Sequence, residues 1–166
     1  MFELEKSENV KKLIQITKSD SGISGPELVK AHIRLGELLG RNIDLEPSNT
    51  TIIAIMRGGI FFAQGIYMTL GCRFKTYDPK YEHFKRPETQ NILLVDSVIN
   101  TGKTIREIIS PDMKIACCVI NDSIVTEFSE QLYTVRVSKN SFVGSDIKTQ
   151  LGNVGPDTTL RLFNLI

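Results

Sequence analysis

Short, unbroken apolar runs constrain this chain more than any other feature. Residues 51–56 read TIIAIM, 91–96 NILLVD, 114–120 KIACCVI and 132–137 LYTVRV. Each is short for a buried helix, and β-branched residues recur in them, so each reads as a strand. A strand that is apolar along its whole length must be covered on both faces, as parallel sheets are. Between the runs the pattern turns helical. Arg57-Gly58-Gly59 opens a helix through Leu70 with Gly71 behind it, and a glycine-containing turn after Asp96 opens another through Ile109. CRFKTY (72–77) adds one more strand. The alternation predicts an α/β fold with a central parallel sheet flanked by helices, and ligands bind such sheets beyond the carboxyl ends of the strands.

Upstream, Ser24 and Glu27 have capping-box spacing, and Pro26 suits a first helical turn. Leu28, Ala31, Leu35 and Leu39 then recur at helical spacing up to a stop at Gly40. His32 falls on this helix as a boundary side chain. A length of 166 residues predicts one domain, 1–166, large enough to hide roughly two-thirds of its unfolded surface. Twenty basic against nineteen acidic residues leave a charge of +1, which argues against a nucleic-acid or anionic-membrane partner. No run approaches the roughly 20 apolar residues of a membrane span. The charged N-terminus lacks the apolar middle of a secretory signal. The three cysteines, Cys72, Cys117 and Cys118, read as reduced buried thiols, and a cytoplasmic location is expected.

The chemistry concentrates in ILLVDSVINTGKT, Ile92 to Thr104. A buried strand ending at Asp96 delivers a carboxylate to the sheet edge. The turn Asn100-Thr101-Gly102-Lys103-Thr104 leads into a helix whose first amides, with the threonine hydroxyls, form a phosphate cradle. Gly102 lets backbone approach a ligand closely. A carboxylate followed by an anion cradle suits a ligand carrying both sugar hydroxyls and a phosphate. Gly102-Lys103-Thr104 also ends like a P-loop, but the first glycine of that pattern falls on Ser97.

The same segment resembles the phosphoribosyl pyrophosphate signature of type I phosphoribosyltransferases: four apolar residues, two usually acidic ones, an apolar-rich stretch, then T-G-[GK]-[ST]. The resemblance implies that Asp96 binds the ribose hydroxyls and Thr101 to Thr104 the 5′-phosphate. Ser97 stands at the second acidic position, and Asn100 where purine enzymes often carry an Asp. IAIMRGGIFFAQG (53–65) resembles the pyrophosphate loop of uracil phosphoribosyltransferases, with Arg57 as the cation and Gly58 and Gly59 offering backbone donors. GNVGPDTTLRLF (152–163) resembles their C-terminal uracil loop through Asp157 or, in a shifted frame, Gly155. It reads otherwise as a Gly/Pro turn before a last strand.

YDPKYEHFKRP (77–87) has no apolar face and predicts an exposed, flexible loop. The family carries a mobile loop here, with Tyr81 and Lys85 as the counterparts and Lys85 acting on the leaving group. The resemblance implies a Rossmann-like core with a small hood built from the N- and C-terminal segments. It implies Mg²⁺ held mainly by the substrate, with Asp96 and Asp157 in contact through water, and a homodimer. The expected reaction joins uracil to phosphoribosyl pyrophosphate, giving UMP and pyrophosphate. A hypoxanthine, guanine or xanthine enzyme is the alternative, as is a nucleotide-sensing regulator without turnover.

Overall fold

Residues Thr50 to Ile55 are all buried, as a strand sandwiched between two layers requires. The structure, a computed structural model, describes residues 1–166. In chain order it contains β1 (Phe2–Glu3), α1 (Glu8–Thr17), α2 (Pro26–Gly40), β2 (Thr50–Ile55), α3 (Ile60–Leu70), β3 (Arg73–Tyr77) and β4 (Asn91–Ile99). There follow α4 (Lys103–Ile108), β5 (Lys114–Asn121), α5 (Val125–Phe128), β6 (Leu132–Ser138), β7 (Val143–Ser145), β8 (Val154–Pro156) and α6 (Thr158–Leu162). Six strands form one parallel sheet in the order β1-β6-β5-β4-β2-β3, and β7 pairs with β8 apart from it. The expected parallel sheet flanked by helices is present.

Two cores flank the sheet. One joins Val10 and Ile14 of α1, Leu35 and Leu39 of α2, and Phe62 and Ile66 of α3 to Leu93 and Val95 of β4. The other joins Ile105 and Ile108 of α4 and Phe128 of α5 to Ile53, Leu94 and Ile115. Helices α2 and α3 approach unusually closely. A Cβ on Gly65 would stand 2.0 Å from the Ile33 carbonyl oxygen, and one on Gly36 2.3 Å from that of Phe62, so only glycine fits either place. No helix is long and apolar enough to cross a membrane.

The topology places a crevice. From β2 the chain moves outward to β3, whereas from β4 it moves the other way to β5 and β6, so the direction of winding switches between β2 and β4. Their ladder ends at Ala54–Val95, while β4 stays paired with β5 as far as Ile99–Ile120. Asp96 is thus the first residue of β4 without a β2 partner. Ligands lodge at such a switch point.

Local expectations needed correction. Strand β4 does not end at Asp96 but runs to Ile99, because β5 keeps pairing with it. Helix α2 is not capped by Ser24. Gly25 holds the N-cap at φ 64° with no side-chain cap, and its N–H donates to the Arg161 carbonyl at 2.7 Å. The C-terminal segment closes on helix α6 and not on a strand. Helix α1 was unanticipated, although Ser7, whose hydroxyl accepts from the Val10 amide, and the Val10–Ile14 pair are its signals.

Candidate active site at the β2–β4 switch point

A cleft of about 330 Å³ opens where β2 and β4 part. Its walls bring together Arg57 and Gly58 after β2, Asp96, Ser97 and Asn100 of the β4 segment, Thr104 of α4, and Asp157 at the start of α6. Next to it, a hollow of about 180 Å³ is lined by residues 98–105 together with Asp96. Asp96 and Thr104 belong to both, so the carboxyl and the turn face one continuous space.

Asp96 is half-buried. Burial is the main reason its carboxyl is pushed up to about 7, and the Ser97 and Val98 amides oppose the rise. The Ser97 N–H donates to Oδ1 at 2.7 Å. No cation pairs with Asp96 within the chain. Across the cleft Arg57 is exposed and free of any carboxylate, with its guanidinium 5.6 Å from the centre of the Phe163 ring. The Met56–Arg57 peptide is cis. Gly58 lies between two side chains: a Cβ there would be 3.0 Å from Thr159 Oγ1 and 3.6 Å from Asp96 Oδ1. Its N–H has no partner in the chain.

The turn after β4 has the form its residues predict. Gly102 sits at φ 74°, where a side chain would be strained, and precedes α4 as its N-cap. The Thr101 and Gly102 amides are unpartnered, and those of Thr104 and Ile105 fall in a first helical turn, which offers them no intrahelical acceptor. Thr101 Oγ1 accepts from the Lys103 amide at 3.4 Å, and Lys103 itself is exposed. Arg106 braces the turn by donating to the Thr101 carbonyl at 2.8 Å.

Other expected residues take different parts. The Gly59 N–H is not open to a ligand, because it donates to the Ile55 carbonyl at 2.9 Å. Glycine is needed there for room, since a Cβ would come within 2.5 Å of the Val95 carbonyl oxygen. Ser97 is 1% exposed and its hydroxyl has no partner, so an acid in its place would be a second buried charge beside Asp96. Asn100 lines the cleft but also donates to the Phe142 carbonyl at 3.3 Å, tying residue 142 to the sheet. Asp157 lines the cleft while its Oδ1 caps α6 through the Leu160 amide. Gly155 is buried beneath the Phe142 ring and not in the cleft wall. Tyr81 and Lys85 line a different hollow, of about 530 Å³, beside β3.

Ile55, Met56, Pro79, Val98, Phe142, Gly144, Pro156, Thr158 and Thr159 complete the cleft. None was anticipated. Thr158 and Thr159 did have a signal, because Asp157 before them reads as a helix cap. Phe142 had none, standing with Val143 in an otherwise polar stretch. Arg161, buried at 2% exposure, holds α6 against the N-terminal segment by donating to the carbonyls of Ile23, Thr17 and Ile16 and to Ser21 Oγ.

Neither a protein-family model nor any curated protein sequence matches the chain. Solved structures do match. The AQ2163 protein of Aquifex aeolicus superposes with a TM-score of 0.63 at 18% identity, over 86% of this chain and 91% of that one. TT1426 from Thermus thermophilus does so with a TM-score of 0.52 at 14% identity, over 80% and 96%. This chain shares their fold. An orotate phosphoribosyltransferase from Aeropyrum pernix is also among the matches, with a TM-score of 0.48 at 20% identity over 66% and 71%.

Proposed function

We propose that this chain is a nucleobase phosphoribosyltransferase, with uracil as its base and UMP and pyrophosphate as its products. The carrying observation is the convergence of Asp96, the unpartnered Thr101 and Gly102 amides and the unpaired Arg57 on one space at the switch point. A ligand with hydroxyls between two anionic ends matches that layout. The turn takes the 5′-phosphate through amides and threonine hydroxyls. Asp96 takes the ribose hydroxyls, and Arg57 with the Gly58 amide takes the pyrophosphate. Phe142 offers an aromatic face on which a planar base can stack.

The reaction breaks the anomeric carbon–pyrophosphate bond while a base nitrogen bonds from the opposite face, and the proton that nitrogen carried passes to the departing pyrophosphate. Positive charge grows on the sugar and negative charge on the departing group. Arg57 stabilises the latter, and Asp96, once it has released its proton as pH rises through about 7, lowers the cost of the former. Ordering the two partners in one cleft contributes the rest, so no covalent nucleophile is needed. The residues fit Mg²⁺ held chiefly by substrate oxygens. Asp96 and Asp157 are the carboxylates in the cleft, and no cluster of three or more acidic, His or Cys ligands exists to strip the ion of its waters. Bound there, Mg²⁺ would neutralise charge on the leaving pyrophosphate.

Lys85 and Tyr81 belong to this reading as a loop that closes over the cleft from the neighbouring hollow. The free, buried Cys72, Cys117 and Cys118 agree with a reducing, cytoplasmic setting, and a homodimer is the proposed assembly. The test is pyrophosphate release from phosphoribosyl pyrophosphate and Mg²⁺ with uracil, hypoxanthine, guanine and xanthine in turn. Release with uracil is expected. Release with a purine alone would move the base assignment, and no release with no sugar binding would end the reading.

A further inference from the structure

Beyond Phe142 the cleft runs on into a chamber of about 60 Å³, and Val98, Phe142 and Thr158 line both. His32 of α2, Cys118 of β5, and Arg136 and Ser138 of β6 form its inner wall. Two of these side chains carry unmet hydrogen-bonding groups. His32 is 1% exposed, with Nδ1 3.0 Å from the Leu28 carbonyl oxygen. A carbonyl can only accept, so Nδ1 carries the proton and donates. Burial, the largest influence, pushes the ring's pKa down to about 4, and the nearby Arg161 and Arg136 push the same way. The ring is neutral, and Nε2 is left as an acceptor that no group in the chain satisfies. Arg136 has no ion pair, and its buried Nε has no partner. The Arg136 Nε donor, buried without a partner, costs stability unless a ligand completes it, and the His32 Nε2 acceptor stands on the same small chamber.

We propose that this chamber reads the lactam edge of the base, a carbonyl next to a ring N–H. The guanidinium of Arg136 donates to the carbonyl oxygen, and Nε2 of His32 accepts from the N–H. The assignment rests on the phosphoribosyl-transfer reading of the cleft. Val98 lies two residues beyond Asp96 on β4, about 6–7 Å along a strand, a distance that suits a ribose at Asp96 and the far edge of its base at the chamber. Uracil, hypoxanthine and guanine present this edge. Cytosine and adenine present the reverse, an amino donor beside a bare ring nitrogen. Arg136 would then face a donor and His32 a lone pair. Sites built to hydrogen-bond a substrate reject the mismatched analogue strongly, because their own polar groups are left unpaired.

The test compares kcat/KM for uracil against cytosine, and for hypoxanthine against adenine, in the wild type, Arg136→Gln and Arg136→Lys, with phosphoribosyl pyrophosphate affinity measured by calorimetry in parallel. The wild type is expected to favour the lactam base by about 100-fold or more. Arg136→Gln should lose most of that preference through KM for the base, with sugar affinity unchanged, and Arg136→Lys should recover part. Ser138→Leu, which fills the chamber from the same strand, should produce the same loss and serves if Arg136→Gln does not fold. Wild-type use of cytosine as readily as uracil would overturn the proposal, as would undiminished discrimination in the variants. Failure of the wild type to bind the sugar at all would overturn the reading of the cleft, a distinguishable result.

Discussion

The β4–α4 segment and the 77–87 loop carry similar promise as chain: each sets charged or hydroxyl side chains beside residues that bend the backbone. They fold to different ends. In the first, Asp96 leaves a strand paired on one side only, and Gly102 turns the chain at positive φ into α4, so carboxyl and amides face one cleft. In the second, residues 78–90 form no helix or strand, and Tyr81 is 84% exposed. That loop is pinned mainly at its far end, where Arg86 pairs with Asp112 and donates to Ser110 Oγ at 2.9 Å. Arg86 and its neighbour Ser110 hold the Asp112 carboxyl down at about 2. A functional group on a strand end inherits its direction from the sheet. A group on a loop has only its own contacts, and here those set Tyr81 and Lys85 at a neighbouring hollow while Pro79 alone reaches the cleft wall.

The sharpest way to break this contrast is to remove the strand-borne carboxylate. Asp96→Asn should lower kcat on the order of 10²–10³-fold, as loss of a positioned electrostatic group does. Activity near wild type would strip Asp96 of its role. Next, Arg57→Ala should weaken phosphoribosyl pyrophosphate binding by on the order of 2–4 kcal/mol in calorimetry.

A third expectation concerns stability. With its pKa raised to about 7, the native Asp96 keeps its proton where the unfolded chain has released it. Native protein then binds more protons, so this group's stabilisation is present below about pH 4 and is lost as pH climbs through about 7. Asp96→Asn should therefore unfold at higher denaturant than wild type at neutral pH, by roughly 1–3 kcal/mol, and the gain should vanish toward pH 4. A gain independent of pH would contradict it. The smallest effects belong to the loop. Tyr81→Ala should change stability by no more than about 0.5 kcal/mol. Lys85→Ala should lower kcat/KM by less than Arg57→Ala does, because Lys85 lines the neighbouring hollow and meets the leaving group only on loop closure; a kcat/KM equal to wild type would show that the loop does not close over the cleft.

Legibility followed the range of the forces involved. The apolar runs at 51–56, 91–96, 114–120 and 132–137 announced buried parallel strands, because a strand covered on both faces has no polar side to show. Gly71 and Gly102 announced turns through their tolerance of positive φ. Ser24 misled, since its capping-box spacing competes with a tertiary contact: the Gly25 amide is held by Arg161, far along the chain. The sequence suggests ligand-facing glycines at 59 and 155, but both are glycines for want of room, against Val95 and Ile55 in one case and Phe142 in the other. Nothing local distinguishes a glycine that meets a ligand from one that meets the protein.

The amino-acid sequence by itself determined the strand–helix alternation, the turn at 101–104 and the presence of Asp96 beside it. Periodicity, β-branching and backbone tolerance act over a few residues, so they are written into neighbouring positions. Only the tertiary structure decided that Arg57, Phe142 and Thr158–Thr159 close the same cleft, that Tyr81 and Lys85 line another, and that His32 and Arg136 share a chamber behind it. Those meetings depend on sheet order and register, which long-range packing selects and no local pattern records.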